Sequence, residues 1–429
     1  MNIWLVNPFD PLPGDPEQEG RYATLVRLLA ARGHQVTWWT SSFSHRFKRA
    51  VDQAATRAAC EALNVRVEFL DGPAYRRNVG LGRLWNHHLL ARRFAAAAPN
   101  HPPPEALLAS TPPPLLALAA ARFAQSRGLP LLLDIQDLWP ETFRRLAPTA
   151  LLPAFKLLLR PWARAARKAA AAADAIFGVA DAYVQRGLEL GGAKPIAQTV
   201  PLGVDLAAFD AAAQAGRCER FTKPAGEVWM TYAGSLNRSY DCLTFLRAFA
   251  QVRGGPGRRV RLFITSRGEL SGRMEQLVRR DRLKEVEFTR FLDFSSWAFL
   301  LSQCDVGINS AFPEAMVFLP NKVFYYLAAG LAVLNAIPGQ CSRIVLGGGC
   351  GLDYQAGNVE SCAETMRRIL SDAAQRSKMR RAARGLAETV YDRAILYPKY
   401  ADLIEAVRRT PEPAKQSTPG SGGRRKQPM

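Results

Sequence analysis

Residues 2–40 have the sequence NIWLVNPFDPLPGDPEQEGRYATLVRLLAARGHQVTWWT. Residues 3–6 form a short apolar run ended by an Asn-Pro pair, which is typical of a buried parallel strand. After a loop, Tyr22 and the leucines that follow it recur at helical spacing up to Gly33, a predicted C-terminal cap. Residues 36–40 then predict a second strand. This βαβ unit predicts a right-handed crossover onto a parallel sheet.

The same alternation of strands and helices continues along the chain. Further strands are predicted at 106–110, 129–135 and 173–180, and residues 196–205 lead out of the first domain. Strands are then predicted at 228–234, 259–266, 286–292, 305–311 and 331–337. Two successive arrays of this kind predict two α/β domains, each with a parallel sheet covered by helices on both faces.

The domain boundaries follow from the breaks in this pattern. We expect a first domain over residues 1–205, a linker over 206–226 and a second domain over 227–409, whose last helices pack back on the first domain. The tail, 410–429, is rich in Pro, Gly and Ser and carries a basic cluster, so we expect it to be disordered.

Composition limits the classes of function. The chain has 429 residues, 48% of them hydrophobic and 22% charged, which is ordinary globular usage for two domains. Its formal net charge of +20 favours a polyanionic partner, whether nucleic acid, a phosphate-bearing substrate or an anionic membrane surface. No RRM, KH or helix-turn-helix pattern accompanies the charge, so nucleic acid is the least favoured of the three.

The cysteines and the N-terminus bear on the compartment. Seven cysteines, with no CxxC pair, favour free thiols over a disulfide scaffold or a zinc site. The N-terminus lacks a basic region before its apolar run, and no stretch of 18 uncharged apolar residues occurs. We therefore expect a cytoplasmic protein.

Two segments are candidates for a site at the edge of the first sheet. The loop after the first strand contains Gly14 and Gly20, which allow close backbone approach next to a helix start that can bind an anion. At the end of strand 129–135, Asp134, Gln136 and Asp137 bring polar groups to the same edge and are the candidate catalytic residues. The alternatives are an ordinary βα loop in the first case and a turn cap at Asp137 in the second.

Two segments of the second domain are candidates for binding a phosphate. In residues 231–249, Gly234 opens a strand–helix loop that carries Asn237 and Arg238, a geometry suited to cradling phosphate. Residues 317–340 place Asn321 and Lys322 in the first turn of a short helix, where a lysine opposes the helix dipole unless an anion is bound.

Two further candidates lie in the first domain. Residues 142–168 contain seven Lys and Arg and no acid, mixed with leucines. They predict either a helix at an anionic membrane interface or a core helix with a solvated basic face. His45 follows a predicted strand and is a candidate residue of an acceptor site.

The ordered motifs resemble the retaining family-4 glycosyltransferases of the GT-B fold, most closely their bacterial surface-polysaccharide subgroup. The resemblance covers residues 2–405. It rests on ARGHQVTWWTSSFSH, ASTPPP, DIQDLWPE, VPLGVD, YAGSLNRSYD and LPNKVFYYLAAGLAVLNAIPGQ, which occur in the family's order.

This resemblance implies a nucleotide-sugar donor site in the second domain, an acceptor in the first, and reaction in the cleft between them. The implied diphosphate side consists of Gly234, Asn237, Arg238 and Lys322, with Asn321 and Tyr325 in the same site. The implied first-domain loop that meets the sugar or phosphate consists of Gly14, Glu19, Gly20 and Arg21. Such enzymes generally need no metal or other cofactor, because lysine, arginine and helix N-termini offset the charge of the leaving diphosphate.

The chain departs from the family at two positions. Where many relatives have a glutamate that holds the donor ribose, this chain has Tyr325, and a phenol cannot bind a diol through two acceptors as a carboxylate does. Where many have His-Asp, this chain has Gln136-Asp137, with Asp137 left as an orienting residue for the sugar or the acceptor.

The resulting hypothesis is a glycosyltransferase at the cytoplasmic face of the plasma membrane. It would transfer a sugar from a UDP-sugar donor to a carbohydrate or lipid-linked acceptor in cell-surface polysaccharide synthesis. A nucleotide-sugar epimerase and a catalytically silent relative that binds a partner or a membrane are the alternatives. The Tyr325 departure favours the silent relative.

Overall fold

The computed structural model describes residues 1–13, 20–77, 80–146, 152–253 and 259–407. Two parallel sheets dominate these residues, one in each half of the chain. The predicted α/β architecture of two Rossmann-like domains is therefore confirmed. The tail predicted to be disordered, 410–429, lies outside the described residues.

The first domain is built on a seven-stranded sheet. In chain order the strands of the whole domain, including two outside this sheet, are β1 (Asn2–Val6), β2 (Gln35–Ser41), β3 (Phe43–Ser44), β4 (Arg49–Ala50), β5 (Val65–Leu70), β6 (Ala106–Thr111), β7 (Leu131–Ile135), β8 (Ala175–Gly178) and β9 (Ile196–Thr199). The sheet has the order β5-β2-β1-β6-β7-β8-β9 with parallel pairing throughout. Strands β3 and β4 form a separate antiparallel hairpin.

The second domain repeats the design with a six-stranded parallel sheet. Its strands are β10 (Glu227–Tyr232), β11 (Arg259–Ile264), β12 (Val286–Phe288), β13 (Val306–Asn309), β14 (Ala332–Asn335) and β15 (Gly351–Asp353). They lie in the order β12-β11-β10-β13-β14-β15. The strand order reverses at β10, between β11 and β13, and in open parallel sheets ligands bind at such points, outside the carboxyl ends of the strands.

Helices connect the strands and cover both sheets. They are α1 (Arg21–Ala31), α2 (Gln53–Glu61), α3 (Leu81–Ala97), α4 (Pro114–Arg127), α5 (Leu152–Ala172), α6 (Asp181–Gly191), α7 (Leu206–Ala215), α8 (Cys242–Val252), α9 (Ser271–Arg280), α10 (Phe294–Gln303), α11 (Lys322–Ala328), α12 (Gln340–Gly347), α13 (Val359–Ser371), α14 (Ala373–Leu386) and α15 (Arg393–Ala406).

The buried strand β1 shows how one strand joins two cores. Successive side chains point to opposite faces of a sheet. Accordingly Ile3 and Leu5 belong to one hydrophobic cluster with α1 and α15, whereas Trp4 and Val6 belong to another with α3 and α4. The continuous apolar run thus reflects burial on both faces, as its sequence predicted.

The predicted linker, 206–226, contains a helix that its sequence pattern did not suggest. Helix α7 begins after Asp205, whose carboxylate accepts a hydrogen bond from the backbone N–H of Ala208 at 2.9 Å. Its alanine-rich sequence favours helix, and its buried Leu206 and Phe209 hold it in place. It packs against α10 of the second domain.

The chain crosses between the domains twice, and the two crossings lie side by side. Val204, on the way out of the first domain, forms a parallel bridge with Asp392, on the way back. The N–H of Val204 donates to the carbonyl of Tyr391 at 3.0 Å, and the N–H of Arg393 donates to the carbonyl of Val204 at 2.9 Å. Both crossings are therefore tied together by backbone hydrogen bonds.

The last helix, α15, packs on the first domain. Arg32 at the end of α1 binds the carboxylates of Asp402 and Glu405 at 2.7 and 3.0 Å. The hydroxyl of Tyr397 donates to the carbonyl of Leu202 at 3.2 Å. The first domain thus contains the two ends of the described chain.

The basic segment 142–168 contributes most of α5. Leu159, Ala165, Ala169 and Ala170 of this helix are buried, whereas Leu157 and Leu158 are 62% and 57% exposed. Within the described ranges, no helix is long and apolar enough to cross a bilayer.

Candidate active site

The loop that follows β10 lies at the carboxyl edge of the second sheet, and hydrogen bonds from its backbone N–H groups hold it in place. The N–H of Ala233 donates to the hydroxyl of Tyr326 at 2.8 Å, and that hydroxyl donates to the carbonyl of Ile308 at 3.1 Å. The N–H of Gly234 donates to Oγ of Ser266 at 2.8 Å. With a φ of 135°, Gly234 has a backbone conformation that favours glycine.

Lys322, the first residue of α11, lies against this loop. Lys322 is only 8% exposed, and its Nζ lies 4.2 Å from the ring centroid of Tyr232 and 4.8 Å from that of Tyr240. A Cβ added to Gly234 would lie 3.4 Å from this Nζ. Within the described part of the chain the amine makes no hydrogen bond.

Burial controls the protonation of this lysine. Loss of solvation disfavours the ammonium form and lowers the pKa of Lys322 from 10.5 to about 7, while the nearby Cys242 and Cys341 thiols act weakly in the other direction. A buried amine with no acceptor is costly. An anion next to Gly234 would supply the acceptor and favour the charged form, so the pair has the chemistry of an anion site.

A cavity of about 530 Å³ opens beside Gly234 and extends along α11, which is a typical volume for a ligand site. The described residues that line it are Arg46, Ala233, Gly234, Thr265, Phe291, Leu292, Asp293, Phe294, Trp297, Asn321 and Tyr325. Arg46 belongs to the turn of the β3–β4 hairpin in the first domain, and the others belong to the second domain. The cavity is therefore part of the cleft between the domains.

The far wall of this cavity is aromatic. Tyr325 is 5% exposed, and its ring meets that of Trp297 edge to face at 5.0 Å and that of Phe294 at 6.4 Å. Phe291, at the mouth, is 79% exposed. Flat side chains of this kind suit the stacking of a planar ring.

Three of the predicted donor residues, Gly234, Asn321 and Tyr325, thus line one cavity, with Lys322 against Gly234. The structure places Arg238 elsewhere. It is 83% exposed and forms an ion pair with Glu269, with 2.6 Å between Nε and Oε1. Asn237 accepts a hydrogen bond from the N–H of Ser239 at 2.8 Å, so its carboxamide oxygen supports the loop.

At the edge of the first sheet, two predicted site residues bind each other. Arg21 donates from Nε and Nη2 to the two oxygens of Asp134 at 3.0 and 3.1 Å, and its Nη1 donates to the carbonyl of Val200 at 2.7 Å. Both side chains are almost fully buried, and the guanidinium lies 4.6 Å from the ring centroid of Tyr400. This differs from the sequence-based expectation, in which Arg21 meets the sugar or phosphate and Asp134 is catalytic. The two side chains instead form a buried ion pair with each other inside the first domain.

Gln136 and Asp137, which follow Asp134, also make hydrogen bonds within their own segment. Gln136 donates from its amide to Asp134 at 3.1 Å. Asp137 accepts hydrogen bonds from the N–H of Leu138 at 2.8 Å and the indole N–H of Trp139 at 3.2 Å. Burial raises the pKa of Asp137, and these two bonds oppose that rise. The geometry corresponds to the turn cap that the sequence left as an alternative.

The first-domain loop is described only in part. Gly20 precedes α1, and a Cβ there would lie 2.7 Å from Cδ of Pro11, so the close approach predicted for this glycine is to the chain itself. Asp10 accepts the N–H of Tyr22 at 2.8 Å. Gly14 and Glu19 lie outside the described residues.

His45 lies in the turn of the β3–β4 hairpin, beside Arg46. Its Nδ1 is 2.6 Å from the hydroxyl of Tyr75, and Lys48 donates to its carbonyl at 2.5 Å. Burial, together with the Arg83 and Lys48 cations, lowers the pKa of His45 to about 3, so the ring is neutral at pH 7. It does not line the 530 Å³ cavity, whereas Arg46 does.

The sequence did not single out Arg46, Thr265, Phe291 or Trp297, which the fold brings to the cavity. Their only local signal is position, since Arg46 follows the His45 candidate, Thr265 and Phe291 lie near the ends of predicted strands, and Trp297 follows the second of these strands. In the described ranges, no group of three or more His, Cys, Asp or Glu side chains is arranged to hold a metal ion.

Solved structures with this architecture are numerous. HepE from Anabaena, in complex with UDP, is 15% identical, with a TM-score of 0.67 over 95% of this chain and 100% of that one. Sucrose-phosphate synthase from Thermosynechococcus elongatus is 18% identical, with a TM-score of 0.68 over 94% and 98%. WaaG, a glycosyltransferase involved in lipopolysaccharide biosynthesis, is 15% identical, with a TM-score of 0.64 over 94% and 100%. At these identities the likeness shows the fold.

Two family matches cover most of the chain, although no curated protein sequence matches it. Residues 19–208 match the family described as Glycosyltransferase Family 4, and residues 227–372 match the one described as Glycosyl transferases group 1. The two matches correspond to the two domains of the structure. The chain is therefore a glycosyltransferase of the GT-B fold, with a family 4 domain followed by a group 1 domain.

Proposed function

We propose that this chain transfers a hexose from a UDP-sugar to a carbohydrate or lipid-linked acceptor in cell-surface polysaccharide synthesis, with retention of configuration. The observation that carries the donor part is Lys322, a buried amine with no hydrogen-bond partner among the described residues, next to Gly234 in the interdomain cleft.

In this proposal Lys322 and the Gly234 loop bind the diphosphate. Transfer breaks the bond between C1 of the sugar and the diphosphate, so negative charge builds up on the leaving group. A pre-positioned ammonium in a site shielded from water stabilises that charge strongly. The nucleoside then lies along α11 against the aromatic wall, and Arg46 faces the donor from the first domain. No metal or other cofactor enters this scheme.

The relatives support the choice of UDP and of the pathway. HepE has been solved with UDP and with UDP-glucose, and WaaG acts in lipopolysaccharide biosynthesis. We extend both properties to this chain as a proposal, since the identities are only 15–16%.

The surface of the first domain supports a membrane-bound acceptor. The exposed Leu157 and Leu158 lie on α5 among basic residues, and the exposed Leu81 and Trp85 lie on α3. Helices α3 and α5 both pack against α4, so they belong to one face of the domain. Apolar side chains next to cations suit the interface of an anionic membrane, which fits a peripheral protein at the inner face of the plasma membrane.

The donor site is tested by a thermal-shift titration with UDP, GDP and ADP, first without and then with magnesium. A ligand that binds only the folded state at 100 times its Kd stabilises it by about 2.7 kcal/mol. We expect UDP to stabilise the protein in both conditions. The Lys322→Met variant should lose this effect, whereas Lys284→Met, at an exposed turn of the same domain, should keep it.

Transfer is tested with labelled UDP-sugars and lipid-linked oligosaccharides. Label in the acceptor supports the proposal. Conversion of the donor to another UDP-sugar without an acceptor would instead identify an epimerase. Absence of binding by any nucleotide would identify a silent relative.

The membrane contact is tested by sedimentation with vesicles of phosphatidylglycerol, and of phosphatidylcholine as the control. Binding to the anionic vesicles alone, weakened in a Leu157→Ser, Leu158→Ser variant, is the expected result. Equal binding by wild type and variant would exclude this face.

A further inference from the structure

Among the described residues that line the donor cavity, one has a carboxylate, Asp293, and that carboxylate already accepts hydrogen bonds. Asp293 caps α10, with Oδ1 accepting the N–H of Ser296 at 2.9 Å and Oδ2 accepting the Ser296 hydroxyl at 2.7 Å. These bonds also lower the pKa of Asp293. Both carboxylate oxygens of Asp293 therefore already accept hydrogen bonds at the N-terminus of α10.

The other polar side chains among the described lining residues offer no second pair of acceptors. Oγ1 of Thr265 accepts the indole N–H of Trp297 at 3.1 Å and lies 3.5 Å from the carbonyl of Tyr232. Asn321 adjoins Lys322, at the diphosphate end of the cavity, and Arg46 has only N–H groups. Tyr325 contributes a single phenolic oxygen within the aromatic wall.

This composition bears on how a nucleoside is recognised. With the diphosphate at Lys322 and Gly234, the pentose lies next, where α11 presents Tyr325 one turn further along. Two vicinal hydroxyls are held firmly by two acceptors of one carboxylate, whereas one phenol makes a single hydrogen bond. The ring of Tyr325 instead offers an apolar surface, which the nucleoside contacts whether or not it has a 2′-hydroxyl.

We propose that the donor cavity does not select for the 2′-hydroxyl, and that it takes 2′-deoxynucleoside diphosphate sugars, deoxythymidine diphosphate sugars included, as readily as UDP-sugars. The inference rests on the proposed donor site and extends its substrate class from UDP-sugars to 2′-deoxynucleoside diphosphate sugars. A site built around hydrogen bonds to a hydroxyl rejects an analogue that lacks it by factors of roughly 10⁴ or more, whereas an apolar pocket discriminates by no more than about 10².

The test compares UDP with dUDP, which differ only in the 2′-hydroxyl, by calorimetry on the full chain. We expect their Kd values to agree within about fivefold, with dTDP in the same range. The substitution Tyr325→Glu places a carboxylate in the aromatic wall and should make the protein prefer UDP over dUDP by at least tenfold. The control Tyr325→Phe should keep the wild-type ratio.

The outcomes separate the inference from the proposed function. If the wild type binds UDP a hundredfold more tightly than dUDP, the inference is overturned and the donor site stands. If it binds none of the three nucleotides, the proposed function fails and the inference fails with it. The UDP-to-dUDP ratio of the wild type needs no variant, so the test holds even if Tyr325→Glu does not fold.

Discussion

Lys322 should couple UDP binding to the uptake of a proton. In the free protein its pKa is about 7, so at pH 8 only about a tenth of the molecules carry the ammonium. The diphosphate favours the charged form and returns the pKa towards its ordinary value of 10.5. Binding at pH 8 should therefore take up about 0.9 proton, and the Kd for UDP should rise about tenfold per pH unit between pH 8 and 9, or about 1.4 kcal/mol.

Calorimetry measures this uptake directly. The apparent binding enthalpy is recorded at each pH in HEPES and in Tris, which differ in ionisation enthalpy, and the difference gives the number of protons. Measurements begin at pH 7.5, because a phosphate group loses its second proton near pH 6 and would otherwise contribute. The uptake should increase from about three-quarters of a proton at pH 7.5 to nearly one at pH 8.5.

Two variants complete the experiment. Lys322→Met should bind UDP weakly and with no proton uptake, whereas Lys284→Met should reproduce the wild-type curve. Tight UDP binding by the wild type, with no proton uptake anywhere between pH 7.5 and 9, would refute the reasoning. It would mean that the amine is already charged in the free protein or does not meet the diphosphate.

Three further predictions concern other residues of the two sheet edges. Gly234→Ala should weaken UDP binding at least tenfold in calorimetry, because the φ of 135° disfavours alanine and the new Cβ would lie 3.4 Å from the amine of Lys322. An unchanged Kd for UDP would exclude the Gly234 loop from the site. Asp134→Asn should lower the free energy of unfolding by about 3 kcal/mol in urea denaturation, because it leaves Arg21 buried without its counter-ion. The UDP affinity of the folded Asp134→Asn protein should stay within twofold, and a large loss would contradict a purely structural role. Arg238→Ala should change the free energy of unfolding by less than about 1 kcal/mol and the Kd for UDP by less than threefold, since its ion pair is exposed; a tenfold loss of affinity would return Arg238 to the diphosphate.

The fold could be predicted because its central strands are buried on both faces. Runs such as residues 3–6 and 331–334 are continuously apolar, a pattern that indicates a parallel sheet. Strand β5 was missed because Arg66 and Glu68 interrupt its apolar residues. It lies at the edge of the first sheet, where such side chains meet solvent, so the pattern of the central strands does not apply to it.

The site could be predicted only where its chemistry is local in sequence. Lys322 was recognisable because a lysine in the first turn of a helix calls for an anion. The pairing of Arg21 with Asp134 joins residues 113 positions apart, and neither residue's neighbours indicate it. Arg46 reaches the cavity through the packing of two domains, which no local pattern encodes.

The paired crossings at Val204 and Asp392 limit how the domains can move. A chain that passes once between two bodies allows them to twist as well as bend, but two adjacent segments joined by hydrogen bonds resist twisting. Rotation about an axis near this pair is the motion that stretches neither segment, and hinge closure of domains is of this kind. The second crossing thus leaves opening and closing of the cleft as the easiest motion between the domains.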